Sequence, residues 1–188
     1  IFYCFYNAAW KMRHYKNKLG LERIVHLGIT ALESYRREIR RALAASPRSY
    51  DLPEDIRAIA SRAKAYLSPG NATGEGWFLT GEMLELIANG TPNIVCAQPF
   101  ACLPNHVFGK GMIREIRRRN PQANIVAVDY DPGASEVNQL NRIKLMIATA
   151  HMRNKRGKLK LMEPPGGIGS ARRILRRAIR QGSKAAAL

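Results

Sequence analysis

The hydrophobic and polar positions change period partway along the chain. In "GITALESYRREIRRALAAS", Ile29, Leu32, Tyr35, Ile39 and Leu43 recur at spacings of three and four, opposite an arginine-rich face. The pattern predicts that residues 1–50 are helical. "SPRSYDLPED" (46–55) breaks it with two prolines and offers Ser49 or Asp51 as the cap of a second amphipathic helix, "EDIRAIASRAKAYL". The glycine-rich "SPGNATGEG" ends that helix and leads into another, "WFLTGEMLELIANG", which starts near Trp77 or Thr80 and stops at Gly90.

Beyond residue 92 short, continuously apolar runs alternate with helical ones. "NIVCAQ" and "NIVAVDY" predict strands; "HVFGKGMIREIRRRN" and "SEVNQLNRIKLMIATAH" predict helices, the second capped by Ser135 after a Pro132-Gly133 turn. Apolar strands separated by helices predict a parallel sheet of βαβ units, an α/β fold. Chemistry in such sheets gathers beyond the carboxyl ends of the strands, here "QPFACLPNH" and "DYDPGAS". Residues 153–170 predict a basic, Pro/Gly-rich linker, and "SARRILRRAIRQG" a short helix capped by Ser170. The organisation is therefore a helical segment (1–50), an α/β subdomain (51–150) and a basic tail (151–188).

Charge sharpens this division. The formal net charge of +17 sits at the two ends: residues 1–50 carry 10 Lys and Arg against 3 Asp and Glu, and residues 151–188 carry 11 against 1. The middle is nearly neutral, whereas a nucleic-acid reader would carry a basic stripe on its folded core. Basic tails that bind a partner or nucleic acid belong to the alternative reading, a non-catalytic α/β interaction module. No apolar run approaches the ~20 residues of a membrane span. Three dispersed cysteines make no disulfide framework and point to a reducing cytoplasm. The chain starts at Ile1, which suits a processed form or a piece of a longer protein.

Cys102 falls where a strand hands over to a helix, with Pro99 and Pro104 stiffening the turn. A helix amino-terminus favours thiolate, the form that attacks carbon or ligates metal. A small residue filling a tight turn, a nucleophile and a ligand are all open on spacing alone. Cys96, inside a strand, and Cys4, among aromatics, fit packing. His106 is a proton carrier or a capping group; Lys110 meets a phosphate or solvent. Asp129 and Asp131 bind a cation or shape a turn. Glu75 is a loop acid or a turn prop. "PPGGIGSARR" has the glycines of a phosphate nest without the Gly-Lys-Ser/Thr of a P-loop.

Residues 74–149, through "GEGWFLTGEMLELI", "PFACLPNHVFGKG" and "DYDPGAS", resemble the carboxyl-terminal part of the 2-hydroxyacyl-CoA dehydratase superfamily. The similar branch is that of the large CoA-enzyme activases, in which a dehydratase-like region joins an activator ATPase. The resemblance implies a flavodoxin-like parallel sheet and an oxygen-sensitive iron–sulfur protein of anaerobic metabolism. ATP hydrolysis there drives a low-potential electron into a cubane (4Fe-4S) cluster, which enables loss of water from a 2-hydroxyacyl-CoA. Cys102 matches the cluster-ligand cysteine, and Ala101 stands where the pattern has glycine. Cys4 and Cys96 match no ligand position. The remaining ligands and the ATPase are thus expected in upstream or separate domains, or in a second copy of the chain sharing one cluster. No complete active site is legible in this sequence.

Overall fold

The computed structural model describes residues 1–47, 52, 54–131 and 133–162, with side chains to residue 155. Ile1–Met146 forms one compact unit and Ile147 begins a second. The first unit opens with two helices, α1 (Phe2–His14) and α2 (Leu19–Ala44). Helices α3 (Ile56–Lys64) and α4 (Trp77–Ala88) follow, then strand β1 (Asn93–Pro99), α5 (Ile113–Arg119), strand β2 (Asn124–Tyr130) and α6 (Glu136–Met162).

Among the described residues the sheet has two strands, paired in parallel with Asn93 opposite Asn124 and Pro99 opposite Tyr130. The mixed α/β reading and the parallel pairing therefore stand. The pleat turns Ile94, Cys96, Ile125 and Ala127 to one face, where Met83, Leu84 and Ile87 of α4 and Ile113 and Ile116 of α5 close a core. On the opposite face Val128 is buried, and Asn124 donates from its amide to the Met146 carbonyl of α6 at 2.9 Å. The neighbouring Val95 and Ala97 of β1 are exposed.

A second core gathers Tyr6, Ile29, Ile56, Ile59, Ala60, Ala63 and Trp77 from the first four helices. Helix α4 thus serves both cores. Gly81 lets α3 approach it, since a Cβ there would lie 2.6 Å from Ile59 Cγ2. Asp55 caps α3, accepting from the Arg57 N–H at 2.8 Å; Ser49 and Asp51 lie outside the described residues. Gly90 follows the α4 terminus at φ +79°, the left-handed stop its glycine predicts.

Three expectations change. The apolar face read along α2 is covered only in part: Ile29 is buried and Leu32 and Leu43 are half-buried, but Tyr35 is 79% and Ile39 58% exposed. The carboxyl half of α2 instead engages Glu33, which receives Arg36 at 2.7 Å and Arg40 at 3.3 Å, while Arg36 lies over the Phe2 ring. Second, the helix predicted over 106–120 begins irregularly, with a π-helical turn at Asn105–Gly109 and a 3-10 turn at Lys110–Met112. Gly109 sits so close to β1 that a Cβ would fall 3.0 Å from Cys96 Sγ, and Thr80 donates to the Phe108 carbonyl at 2.6 Å. That close approach to β1 and α4 accompanies a backbone wound wider than an α-helix. Third, residues 153–162, expected as linker, continue α6. The first proline after Pro132 is Pro164, and the Lys, Arg and Leu between them are good helix formers. The predicted Ser170 helix and the glycine nest lie outside the described residues, as does Pro132.

Candidate functional site

The loop beyond β1 is a tight turn closed by the Cys102 N–H donating to the Pro99 carbonyl at 3.2 Å. Making that turn places Ala101 at φ +53°. An L-residue there is disfavoured by about 1–2 kcal/mol, so the backbone is the one glycine adopts most readily. The Cys102 carbonyl then accepts the His106 N–H at 3.2 Å, which puts Cys102 at the entry to the helical run.

Its side chain is half-buried, with Sγ 3.4 Å from Asn105 Oδ1, to which the thiol donates. The Asn105 amide nitrogen donates in turn to the Ala97 carbonyl at 2.8 Å, tying the sulfur to the end of β1. Phe100 and Leu103, close to Cys102 in the chain, are exposed apolar residues of the same loop, at 74% and 62%.

The loop is braced from a distance. Tyr3 of α1 donates its hydroxyl to the Gly74 carbonyl at 2.7 Å. Gly74, at φ +57°, lies directly under Pro104, where a Cβ would stand 2.5 Å from the proline Cγ. Burial of Tyr3 raises its phenol pKa, which keeps the hydroxyl a donor. Sequence reading gave no role to Tyr3, Gly74 or Asn105, although Gly74 and Asn105 lie inside the quoted "GEGWFLTGEMLELI" and "PFACLPNHVFGKG" stretches.

The other sequence candidates disperse. His106 is exposed, and its backbone N–H rather than its ring meets the loop. Lys110 is exposed, and its Nζ lies 3.4 Å from Asp129 Oδ1. Asp129 also faces Arg142 at 3.5 Å, and Asp131 accepts the Gly133 N–H at 2.8 Å as a turn residue. A cleft of about 320 Å³ is lined by Asp129, Asp131 and the start of α6. Glu75 stays in the loop before α4, where its carbonyl accepts the Phe78 N–H at 3.0 Å. Cys4 is exposed, not packed, because α1 turns Tyr6, Asn7 and Ala9 inward instead.

Cys96 points into the core of the sheet. Burial pushes its thiol pKa up, against a smaller opposing effect of the Gln98 amide 3.1 Å away. The protonated form is therefore favoured across neutral pH, and reactivity appears only as pH rises through the elevated value. With iodoacetamide near pH 7.5, peptide mass spectrometry should show Cys4 and Cys102 alkylated first. Cys96 should catch up only in denaturant; equal native rates for Cys96 and Cys102 would overturn the placement.

Among the described residues no three His, Cys, Asp or Glu side chains are grouped to hold a metal ion. A cubane takes thiolate ligands at its irons, and here one thiol alone faces the carboxyl edge of the sheet. Among the described residues Cys102 could hold one iron, and no complete site is present. Comparison of the chain with protein-family models, curated proteins and solved structures finds no match.

Proposed function

We propose that this chain is a module of an iron–sulfur protein of the 2-hydroxyacyl-CoA dehydratase and activase type, in which Cys102 supplies one cluster ligand. The observation that carries the proposal is the setting of that sulfur. It stands half-exposed beyond the carboxyl end of a parallel strand, on a turn with a left-handed Ala101, and is anchored through Asn105 to β1. When bound, the cluster supplies a low-potential electron. The chain's own part is to fix one thiol and to offer exposed apolar residues, Phe100 and Leu103, for a partner that brings the other ligands. Burial beneath such a partner excludes water and lowers the local dielectric, both of which tune a cluster's potential.

On this reading β1 and β2 are the start of a larger flavodoxin-like sheet in a cytoplasmic assembly, completed by dehydratase-like and ATPase domains or by a second copy. Acyl-CoA is the substrate of that assembly rather than of this module. No helix among the described residues is long and apolar enough to cross a membrane.

Anaerobic reconstitution with ferrous iron and sulfide tests the proposal, run with the chain alone and with a cysteine-bearing dehydratase-like partner. Iron and sulfide-to-iron charge-transfer absorbance should appear in the mixture, survive Cys96→Ser and fall at least about tenfold with Cys102→Ser. Equal uptake by wild type and Cys102→Ser in the presence of the partner would remove the ligand assignment.

A further inference from the structure

The free edge of β2 borders an open groove of about 540 Å³, and its rim is cationic. Lys110 comes from the 3-10 turn, Arg114 and Arg117 from α5, and Arg142 from α6, around a floor that includes Ile113, Ile125 and Val126. Two of these cations have a structural task. Arg117 donates to the Ile125 carbonyl, Arg142 donates to the Ala127 carbonyl at 2.7 Å, and Gln139 donates to the Asp129 carbonyl at 2.7 Å. Three alternate carbonyls of one strand are thereby occupied by side chains, which blunts the edge against pairing with another chain.

Edge protection does not account for the remaining charge. Arg114 is exposed, and its side chain makes no hydrogen bond or ion pair among the described residues. Among the described residues, Asp129 is the carboxylate that meets these cations. It is shared between Lys110 at 3.4 Å and Arg142 at 3.5 Å, long separations for ion pairs. Four cations lining one groove repel one another, and a bound anion relieves that repulsion. Anchoring Arg117 and Arg142 to backbone carbonyls also holds their remaining N–H donors in place before a ligand arrives.

The geometry points to a binding site for a small phosphorylated organic anion of nucleoside-diphosphate size, its phosphates on Arg114 and Lys110 and its less polar body over the Ile125–Val126 floor. The volume lies in the range of small-molecule sites, and guanidinium groups match phosphate oxygens bidentately. This inference does not rest on the iron–sulfur reading. Its groove is built from α5, β2 and α6, and its test involves neither Cys102 nor iron.

The test is calorimetric titration of the whole chain with ADP and, separately, with inorganic pyrophosphate. Arg114→Gln and the double variant Lys110→Gln/Arg114→Gln are compared with Arg23→Gln/Arg37→Gln on the distant α2. Circular dichroism checks that each variant is folded. ADP should bind the wild type more tightly than pyrophosphate does, since only ADP covers the floor. The groove variants should weaken ADP at least about tenfold, with the α2 variant within about twofold of wild type. Equal losses in both sets would show generic charge attraction and overturn the site, as would no ADP binding to the wild type at millimolar concentration. Unchanged affinity in the groove double variant would do the same.

Discussion

Trp77→Ala is expected to remove most of the stability of the helical half of this protein. The indole is 0% exposed and meets the rings of Tyr6 at 5.2 Å, Tyr3 at 5.5 Å and Phe78 at 6.0 Å. Emptying a buried tryptophan site costs about 3–5 kcal/mol, because the surroundings relax only partly. A second loss comes from its Nε1–H, which donates to Asn7 Oδ1 at 2.9 Å in a bond joining α1 to α4. Asn7 is itself buried, so the orphaned amide adds about 1–3 kcal/mol. Set against the ~5–15 kcal/mol of a typical domain, the sum is close to unfolding. Trp77→Phe keeps an aromatic ring and loses the bond, and should cost about half as much. Urea denaturation followed by circular dichroism separates the variants. A Trp77→Ala loss below about 1 kcal/mol would mean that the ring is not the hub of that core.

The same tryptophan shows what periodicity reveals and what it leaves out. "NIVCAQ" and "NIVAVDY" were legible as strands because continuous apolar runs, closed by Pro99 and Asp131, suit a strand covered on both faces. Helix α4 was legible for a related reason, as a long apolar run with a glycine stop. The partner of each face was not legible. Along α2 the i, i+3, i+4 stripe is genuine, yet only Ile29 of it joins the buried core, since spacing does not say where α1 lies. At the site, Cys102 was visible from its place between strand and helix. Its support was not: Tyr3 reaches Gly74 across 71 positions, and Asn105 returns to Ala97 across eight. The Ala101 conformation, too, is imposed by closing the turn and not by alanine's own preference.

Those long-range supports make Gly76→Ala the second large effect expected here. Gly76 has φ +46° and ψ −126°, a conformation that a Cβ strongly disfavours. The added carbon would lie 2.0 Å from the Asn71 carbonyl oxygen, 2.9 Å from its carbon and 3.0 Å from Ala72 Cα. All three are backbone atoms, so no side chain can swing aside. The struck carbonyl also accepts the Trp77 N–H at 2.8 Å and so holds the start of α4. Relief therefore means moving residues 71–76 together, at about 1–3 kcal/mol for the strained backbone and more for the lost contacts. Two other glycines calibrate the estimate. Gly90→Ala, at φ +79° with open space around it, should cost about 1–2 kcal/mol from conformation alone. Gly20→Ala, in α2 with nothing within 4 Å, should be neutral or stabilise by up to about 1 kcal/mol. A shift of residues 71–76 also carries Gly74 away from Pro104, two residues from Cys102. Gly76→Ala should consequently alter the alkylation rate of Cys102 by several-fold while leaving Cys96 slow, whereas Gly90→Ala leaves both unchanged. If thermal melts place Gly76→Ala level with Gly90→Ala and the Cys102 rate is unmoved, the loop before α4 does not brace the cysteine.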